Sequence, residues 1–521
     1  MTDSSVPPGG HRSGKGPRKR PDGRRHRNGP PRGRQGPGRP PTDDPARAAA
    51  LDTLRAVRED AAYANLTLPG LLRERRISGR DAALATDLAY GTCRAQGLLD
   101  AVLGACCDRP LADLDGLVLD ALRLGTQQLL RTRIPPHAAV SAVVELVRAR
   151  AGSRPTGFVN AVLRRVAEHD EAAWVDRLAP PDALGRLALT HAHPRWIAEV
   201  FARALGEDPE ETENTEDTEN TEDTEDTDST QPAQLPDLPE LSAALAADDA
   251  RPAVHLAARP GEISAEELAA ITGGEESPYS PYGVLLTEGG DPGELAPVRE
   301  GLAVVQDEGS QLVALVAARA AVDGPGGPEG PDTRWLDLCA GPGGKAVMLG
   351  ALAAVEGATL DAVDRAPHRA RLVEQATEGL PVRVHTGDAR EITLPEAAYD
   401  RVLVDAPCTG LGALRRRPEA RWRRVAADVE ELTALQRALL HAALERTRPG
   451  GVVTYATCSP HPDETTGVVG AVAAETGAEL LDTAALLPGV PDTAPAQGPG
   501  VQLWPHRHGT DAMYAAVLRK T

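Results

Sequence analysis

Cysteine, aspartate, glycine and lysine come together in three short motifs, each of which closes or follows an apolar run. Asp405-Ala-Pro-Cys408-Thr-Gly410 follows Arg401-Val-Leu-Val404, and Ala456-Thr-Cys458-Ser-Pro460 follows Gly451-Val-Val-Thr-Tyr455. Both runs have the length and β-branched content of buried parallel strands, so each thiol falls at or just past a strand's C-terminal end. Open α/β sheets bind their ligands there. The third motif, Leu336-Asp-Leu-Cys-Ala-Gly-Pro-Gly-Gly-Lys345, reads as a glycine-rich turn leaving a strand and entering a helix. Glycine lets backbone approach a ligand closely, and a helix N-terminus favours negative charge. The turn is neither a Gly-x-Gly-x-x-Gly fingerprint nor a Walker A loop. Together the motifs imply a thiol nucleophile beside a bound cofactor.

Acids after successive strands indicate what kind of cofactor. Asp364 ends the second strand, where a ribose-binding carboxylate would sit, Asp388 follows the third, and Asp405 follows the fourth. One such Asp is often only a loop residue or helix cap, but three in succession point to a nucleoside. The turn residues Cys339, Ala340, Gly341, Pro342, Gly343, Gly344 and Lys345 complete the candidate cofactor set. Lys345 is distinctive, because the chain has only Lys15, Lys19, Lys345 and Lys520 against 52 arginines. Where any cation would serve, this sequence uses arginine. The commoner fate of a free cysteine is to be a small buried hydrophobe, the reading given to Cys93, Cys106 and Cys107. The absence of any Cys-x-x-Cys pair argues against a metal site.

The elements that must position these groups occupy the second half of the chain. Strand and helix patterns alternate: Trp335–Leu338, a helix from about 344, Thr359–Val363, a helix from 367, Val382–His385, Arg401–Val404, a helix over 428–447, Val452–Thr457 and a helix from about 463. That alternation predicts an α/β, Rossmann-like doubly wound sheet over 323–521, with Ala512–Leu518 as a final strand. Residues 233–322 read as a small α+β subdomain and a lead-in helix. From 46 to 170, apolar residues recur at helical spacing, as in Leu117-x-Leu-x-x-Leu-x-Leu124, and predict an all-α domain, with a helical connector over 171–206.

Charge is distributed unevenly. Residues 1–40 hold eleven Lys/Arg against two Asp, whereas 207–228 hold thirteen Asp/Glu and no base. A disordered basic tail over 1–45 and a disordered acidic linker over 207–232 are expected, because neither carries enough apolar side chain to offset ordering entropy. The net charge of −20 therefore leaves room for a local basic surface. Six cysteines without a signal-peptide pattern, and no apolar run near the roughly 20 residues that span a bilayer, fit a cytoplasmic protein with no membrane partner. No feature sets an oligomeric state, and a monomer is compatible with the sequence.

Arg123-Leu-Gly125, Ile134-Pro135 and Gly157-Phe-Val-Asn160-Ala-Val-Leu163 in their helical context resemble the NusB-type antitermination domain, whose members bind RNA. Asp337–Lys345, Asp405–Gly410, Arg417-Pro-Glu-Ala-Arg-Trp422 and Tyr455-Ala-Thr-Cys-Ser459 resemble the S-adenosylmethionine-dependent RNA cytosine-C5 methyltransferases. With the helical domain in front, the order is similar to the Sun/Fmu-type 16S rRNA methyltransferase B family. The chain departs from that family's usual Arg-x-Asn around Leu256-Ala-Ala-Arg259.

Cytosine C5 is a poor nucleophile, and a thiolate added at C6 makes the ring enamine-like. Placement alone leaves the two thiols exchangeable. The resemblance gives Cys458 the attack, Cys408 the release after methyl transfer, and Asp405 the cytosine edge. It implies S-adenosylmethionine as cofactor and an unpaired or flipped cytosine of 16S rRNA as substrate. The basic stretch after Cys408 supplies the candidate RNA contacts Arg416, Arg417, Arg421 and Trp422. A transfer-RNA cytosine methyltransferase and a non-catalytic RNA-binding assembly factor are the alternatives.

Overall fold

Apolar faces at helical spacing need a helical partner, and among the described residues the first part of the chain supplies nine in sequence. They are α1 (Pro45–Glu59), α2 (Ala64–Glu74), α3 (Gly79–Cys106), α4 (Gly116–Arg131), α5 (Pro136–Ala151), α6 (Thr156–Val166), α7 (Glu171–Leu178), α8 (Ala183–Thr190) and α9 (Arg195–Leu205). Asp44, Asp115, Asp170 and Asp182 each accept a backbone N–H at the start of α1, α4, α7 and α8, satisfying donors the helix leaves unpaired. The 28-residue α3 is the spine, burying Leu88, Leu98, Leu99, Val102 and Leu103 against α1, α4 and α6. Helix α7 buries Trp174 and Val175 in this same core, whereas α8 and α9 pack into a second one with Leu411, Leu414 and Trp504.

The computed structural model describes residues 44–207, 238–287, 289–324 and 333–521. The basic tail up to residue 43 and nearly all of the acidic linker lie outside the described residues. After α10 (Pro239–Asp249), four strands, β1 (Val254–Ala258), β2 (Glu275–Glu276), β3 (Gly283–Leu286) and β4 (Ala303–Val305), form an antiparallel sheet in the order β2-β3-β1-β4. Helix α11 (Ala265–Thr272) packs on this sheet, and the single-turn α12 (Ala296–Arg299) precedes β4. Helix α13 (Glu308–Arg319) then leads into the larger sheet.

That sheet contains β5 (Arg334–Asp337), β6 (Thr359–Asp364), β7 (Val382–Thr386), β8 (Tyr399–Asp405), β9 (Thr447–Thr457), β10 (Glu479–Leu480), β11 (Val501–Gln502) and β12 (Tyr514–Arg519). Its order is β10-β12-β9-β8-β5-β6-β7, with β11 beside β12. The strands from β7 to β9 run parallel, and β12 pairs antiparallel to β9. Alternate residues enter opposite cores, as a pleat of period two requires. Trp335, Leu403, Val452 and Val517 face α13 and α14 (Gly344–Glu356), whereas Leu336, Val402, Val404 and Val453 face α16 (Asp428–Arg446) and α17 (Thr466–Thr476). Helix α15 (Pro367–Ala376) follows β6, and α18 (Pro505–His508) is one turn before β12. Strand order reverses between β5, β6 on one side and β8, β9 on the other, opening a crevice at their carboxyl ends.

Candidate active site

Register fixes where the chemistry lies. Asp337 pairs with Ala362 and Leu403, and Asp405 with Ala456, so the ends of β5, β6, β8 and β9 come out on one edge. The turn after β5 lies along the crevice, with Gly343 at φ 119°, a conformation that favours glycine. A Cβ on Gly341 would overlap the Asp364 carboxylate. The close approach is used: Gly341 N–H donates to Asp364 Oδ2 at 3.0 Å, and Ala366 N–H to Oδ1 at 2.8 Å. Arg369 also contacts Asp364 and donates to the Gly341 carbonyl. Asp364 thus fixes the shape of the turn. Asp388 is ion-paired to Arg390 at 2.6 Å, whose hydrogen bond pulls its carboxyl down to about 2.

Asp337 differs from both. It is buried, Oδ1 accepts from Cys339 N–H at 3.3 Å, and Oδ2 has no hydrogen-bond partner among the described residues. Burial, then the neighbouring Asp405 charge, pushes its carboxyl up to about 7. An orphaned acceptor beside a backbone cradle fits a ligand that brings its own donors. Lys345, in the first turn of α14, reaches across the crevice to Asp405 Oδ2 at 2.8 Å and to Ser310 Oγ at 3.4 Å. Burial works against the ammonium, yet the Asp405 charge and hydrogen bond outweigh it and raise Lys345 above its ordinary value.

Cys408 and Cys458, fifty residues apart in sequence, meet with Sγ atoms 3.5 Å apart. Their environments separate them. The hydrogen bond from Cys408 lowers Cys458 below the ordinary thiol range against burial and the Asp405 charge, with Lys345 and Arg417 assisting. The same hydrogen bond and burial push Cys408 well up. These opposite directions favour the thiolate form at Cys458 and the protonated form at Cys408. Cys339, with its thiol pushed up by burial and then the Asp337 charge, lacks this activation.

Sequence reading missed the group that joins the two thiol loops. Glu464 is fully buried; its carboxylate accepts from Thr409 N–H at 2.8 Å, Ser459 Oγ–H at 2.7 Å and Gln436 Nε2–H at 3.0 Å. Thr409 and Ser459 each follow one of the cysteines. The available signal was modest: an acid six residues after Cys458, behind a proline-containing turn. Gln436 also donates to the Pro407 carbonyl at 2.9 Å, and Gly412 N–H donates to the Cys458 carbonyl at 2.9 Å.

The expected RNA-contact residues do not act together. Arg421 is fully buried, bonded to Asp248 at 2.6 Å and to the Ala192 carbonyl at 3.0 Å. Arg416 is held by Asp307 at 2.6 Å and Asp511 at 3.0 Å, beside Arg415 on the same two acids. Trp422 packs against α3, where a Cβ on Gly97 would overlap its ring, and its Nε1–H donates to the Cys93 carbonyl at 2.9 Å. These three join parts of the protein, because buried guanidinium groups need carboxylate and carbonyl partners that distant segments supply. Arg417 alone is exposed, and it forms no ion pair with a described residue.

A Rossmann-like sheet carrying a glycine turn, strand-end acids and a polarised thiol pair is the architecture of a transferase that uses a nucleoside cofactor. The family described as 16S rRNA methyltransferase RsmB/F matches residues 328–519, and the NusB family matches residues 44–168. The ribosomal RNA small subunit methyltransferase B of Pseudomonas syringae pv. tomato is 32% identical, covering 91% of this chain and 96% of that protein. A Mycobacterium tuberculosis H37Rv protein, Rv1407, provisionally named a methyltransferase, is 55% identical over 94% of this chain and 99% of its own length. The crystal structure of PH0851 shares the fold, with a TM-score of 0.70 at 21% identity, covering 92% of this chain and 99% of that one. The chain belongs to the RsmB/F family of S-adenosylmethionine-dependent rRNA methyltransferases, with a NusB-like helical domain in front. Among the described residues, no helix is long and apolar enough to cross a membrane.

Proposed function

We propose that the protein methylates C5 of an unpaired or flipped cytosine in 16S rRNA, in the cytoplasm, through a covalent link between Cys458 and cytosine C6. The observation that carries this reading is the unequal thiol pair at the ends of β8 and β9, 3.5 Å apart, with a cationic lysine and a carboxylate beside it. The turn 339–345, Asp337, Asp364 and Asp388 are the residues that would hold S-adenosylmethionine, which supplies an electrophilic methyl group when bound.

The chain's own groups have distinct tasks. The Cys458 thiolate adds to C6, and the ring electrons this releases make C5 nucleophilic. Asp405, fixed by Lys345, accepts from the cytosine edge and balances charge in the adduct. Once C5 carries its methyl group, the C5 proton must leave before the sulfur–C6 bond can break. Cys408 serves that release by base or proton-relay action, being already in hydrogen-bond contact with the attacking sulfur. Free Cys458 is regenerated, and the product is 5-methylcytosine.

Bisulfite sequencing of 16S rRNA from a strain lacking the protein should show one newly unmethylated cytosine, restored by the wild-type chain. An unchanged rRNA map together with a lost transfer-RNA site would move the substrate to tRNA.

A further inference from the structure

An aromatic ring of the helical domain lies against the arginine segment that follows Cys408. Tyr63, immediately before α2, is 47% exposed in a chain with only 3% aromatic residues. The guanidinium carbons of Arg417 and Arg423 each lie 5.9 Å from its ring centroid, within cation–π range. Arg423 is a tether: it donates to the carbonyls of Val57, Ala61 and Ala62 at 2.8, 2.9 and 2.6 Å, holding the α1–α2 loop on the segment that follows Cys408. Trp422, next in line, anchors the same segment to α3. Arg417 has no such duty, and Arg424 of the same segment donates to the Thr409 carbonyl at 3.0 Å, which ties the segment to the Cys408 loop.

We propose that Tyr63 and Arg417 form a nucleotide subsite on the segment that follows the Cys408 loop, in which an unpaired RNA base beside the target cytosine stacks on the Tyr63 ring while Arg417 contacts its phosphate. The half-exposed ring lies within cation–π range of two guanidinium groups, one of them tethered, so it is held in place before RNA arrives, and single-stranded RNA is recognised by stacking on aromatic rings. The exposed guanidinium supplies the anion contact that Arg416 and Arg421, with their carboxylate partners, cannot. The helical domain thereby contributes a side chain to substrate recognition. This inference rests on the proposed RNA reading of the thiol site.

The test is binding of a fluorescein-labelled, unpaired 16S rRNA fragment to the full chain, read by anisotropy at several salt concentrations. Tyr63→Ala should weaken binding about 5- to 100-fold, with the salt slope and the thermal midpoint unchanged, and Tyr63→Trp should restore it. Arg417→Ala should weaken binding and lower the salt slope by about one phosphate contact. Wild-type affinity in Tyr63→Ala, or equal loss in Tyr63→Ala and Tyr63→Trp, would overturn the subsite. No RNA binding by the wild type would overturn subsite and RNA reading together. Wild-type binding without C5 methylation would remove only the cytosine chemistry.

Discussion

The two cysteine loops and the arginine segment between them behave in opposite ways. Cys408 and Cys458 come from places fifty residues apart and converge to 3.5 Å, while the contiguous residues 415–424 disperse to Asp307, Asp511, Asp248, α3 and the α1–α2 loop. Strand ends are gathered by the sheet, so whatever follows a parallel strand is delivered to one edge. A run of cations has no such organiser. Each guanidinium but one goes to acceptors that the fold sets beside it, and Arg417, near the Tyr63 ring, stays exposed with no ion pair to a described residue.

The sharpest way to break the comparison is at the thiols. Cys458→Ala should reduce methylation to background and give no RNA–protein adduct on a denaturing gel. Cys408→Ser should slow turnover by about 10²- to 10⁴-fold and let an adduct accumulate; the reverse pattern would exchange the two roles. Next comes the acid that joins the loops. Glu464→Gln loses a charged acceptor shared by Thr409, Ser459 and Gln436, and should lower kcat about 10- to 100-fold, as loosening of a positioned site does, while RNA affinity is retained.

A third probe is pH. The Lys345 ammonium helps to hold Cys458 below the ordinary thiol range, so Lys345→Gln must raise the pH at which the thiolate forms. The acid limb of the kcat/KM profile should move to higher pH; a limb that stays put would detach Lys345 from the nucleophile. The smallest effect is expected in the other region. Gly97→Ala pushes a methyl group into the Trp422 ring and should cost about 1–3 kcal/mol of stability, read as a lower thermal midpoint, with the thiol chemistry intact.

What the sequence disclosed follows the same division. The strands from β5 to β9, their connecting helices and the groups at their ends were legible because apolar runs, glycine turns and period-two alternation are local signals. The two-residue strands β2, β10 and β11 were not, since pairing partners rather than propensity create them. Arg416, Arg421 and Trp422 were read as one RNA-facing stretch because their partners, Asp511, Asp248 and Cys93, are distant in sequence. Glu464 and Tyr63 passed unnoticed for a related reason. An isolated acid or aromatic gains meaning only from what the fold sets opposite it.

The pairing of β12 with β9 has a consequence in time. Tyr514 lies opposite Thr457, and Ala512 N–H donates to the carbonyl of Gly412, whose own N–H holds the Cys458 carbonyl. The strand that backs the nucleophile is thus made after everything it supports. A ribosome must have exposed the chain through Arg519 before this part of the support for the thiol loops can form. Until translation has passed that point, the growing polypeptide carries both cysteines without the strand that backs their loops.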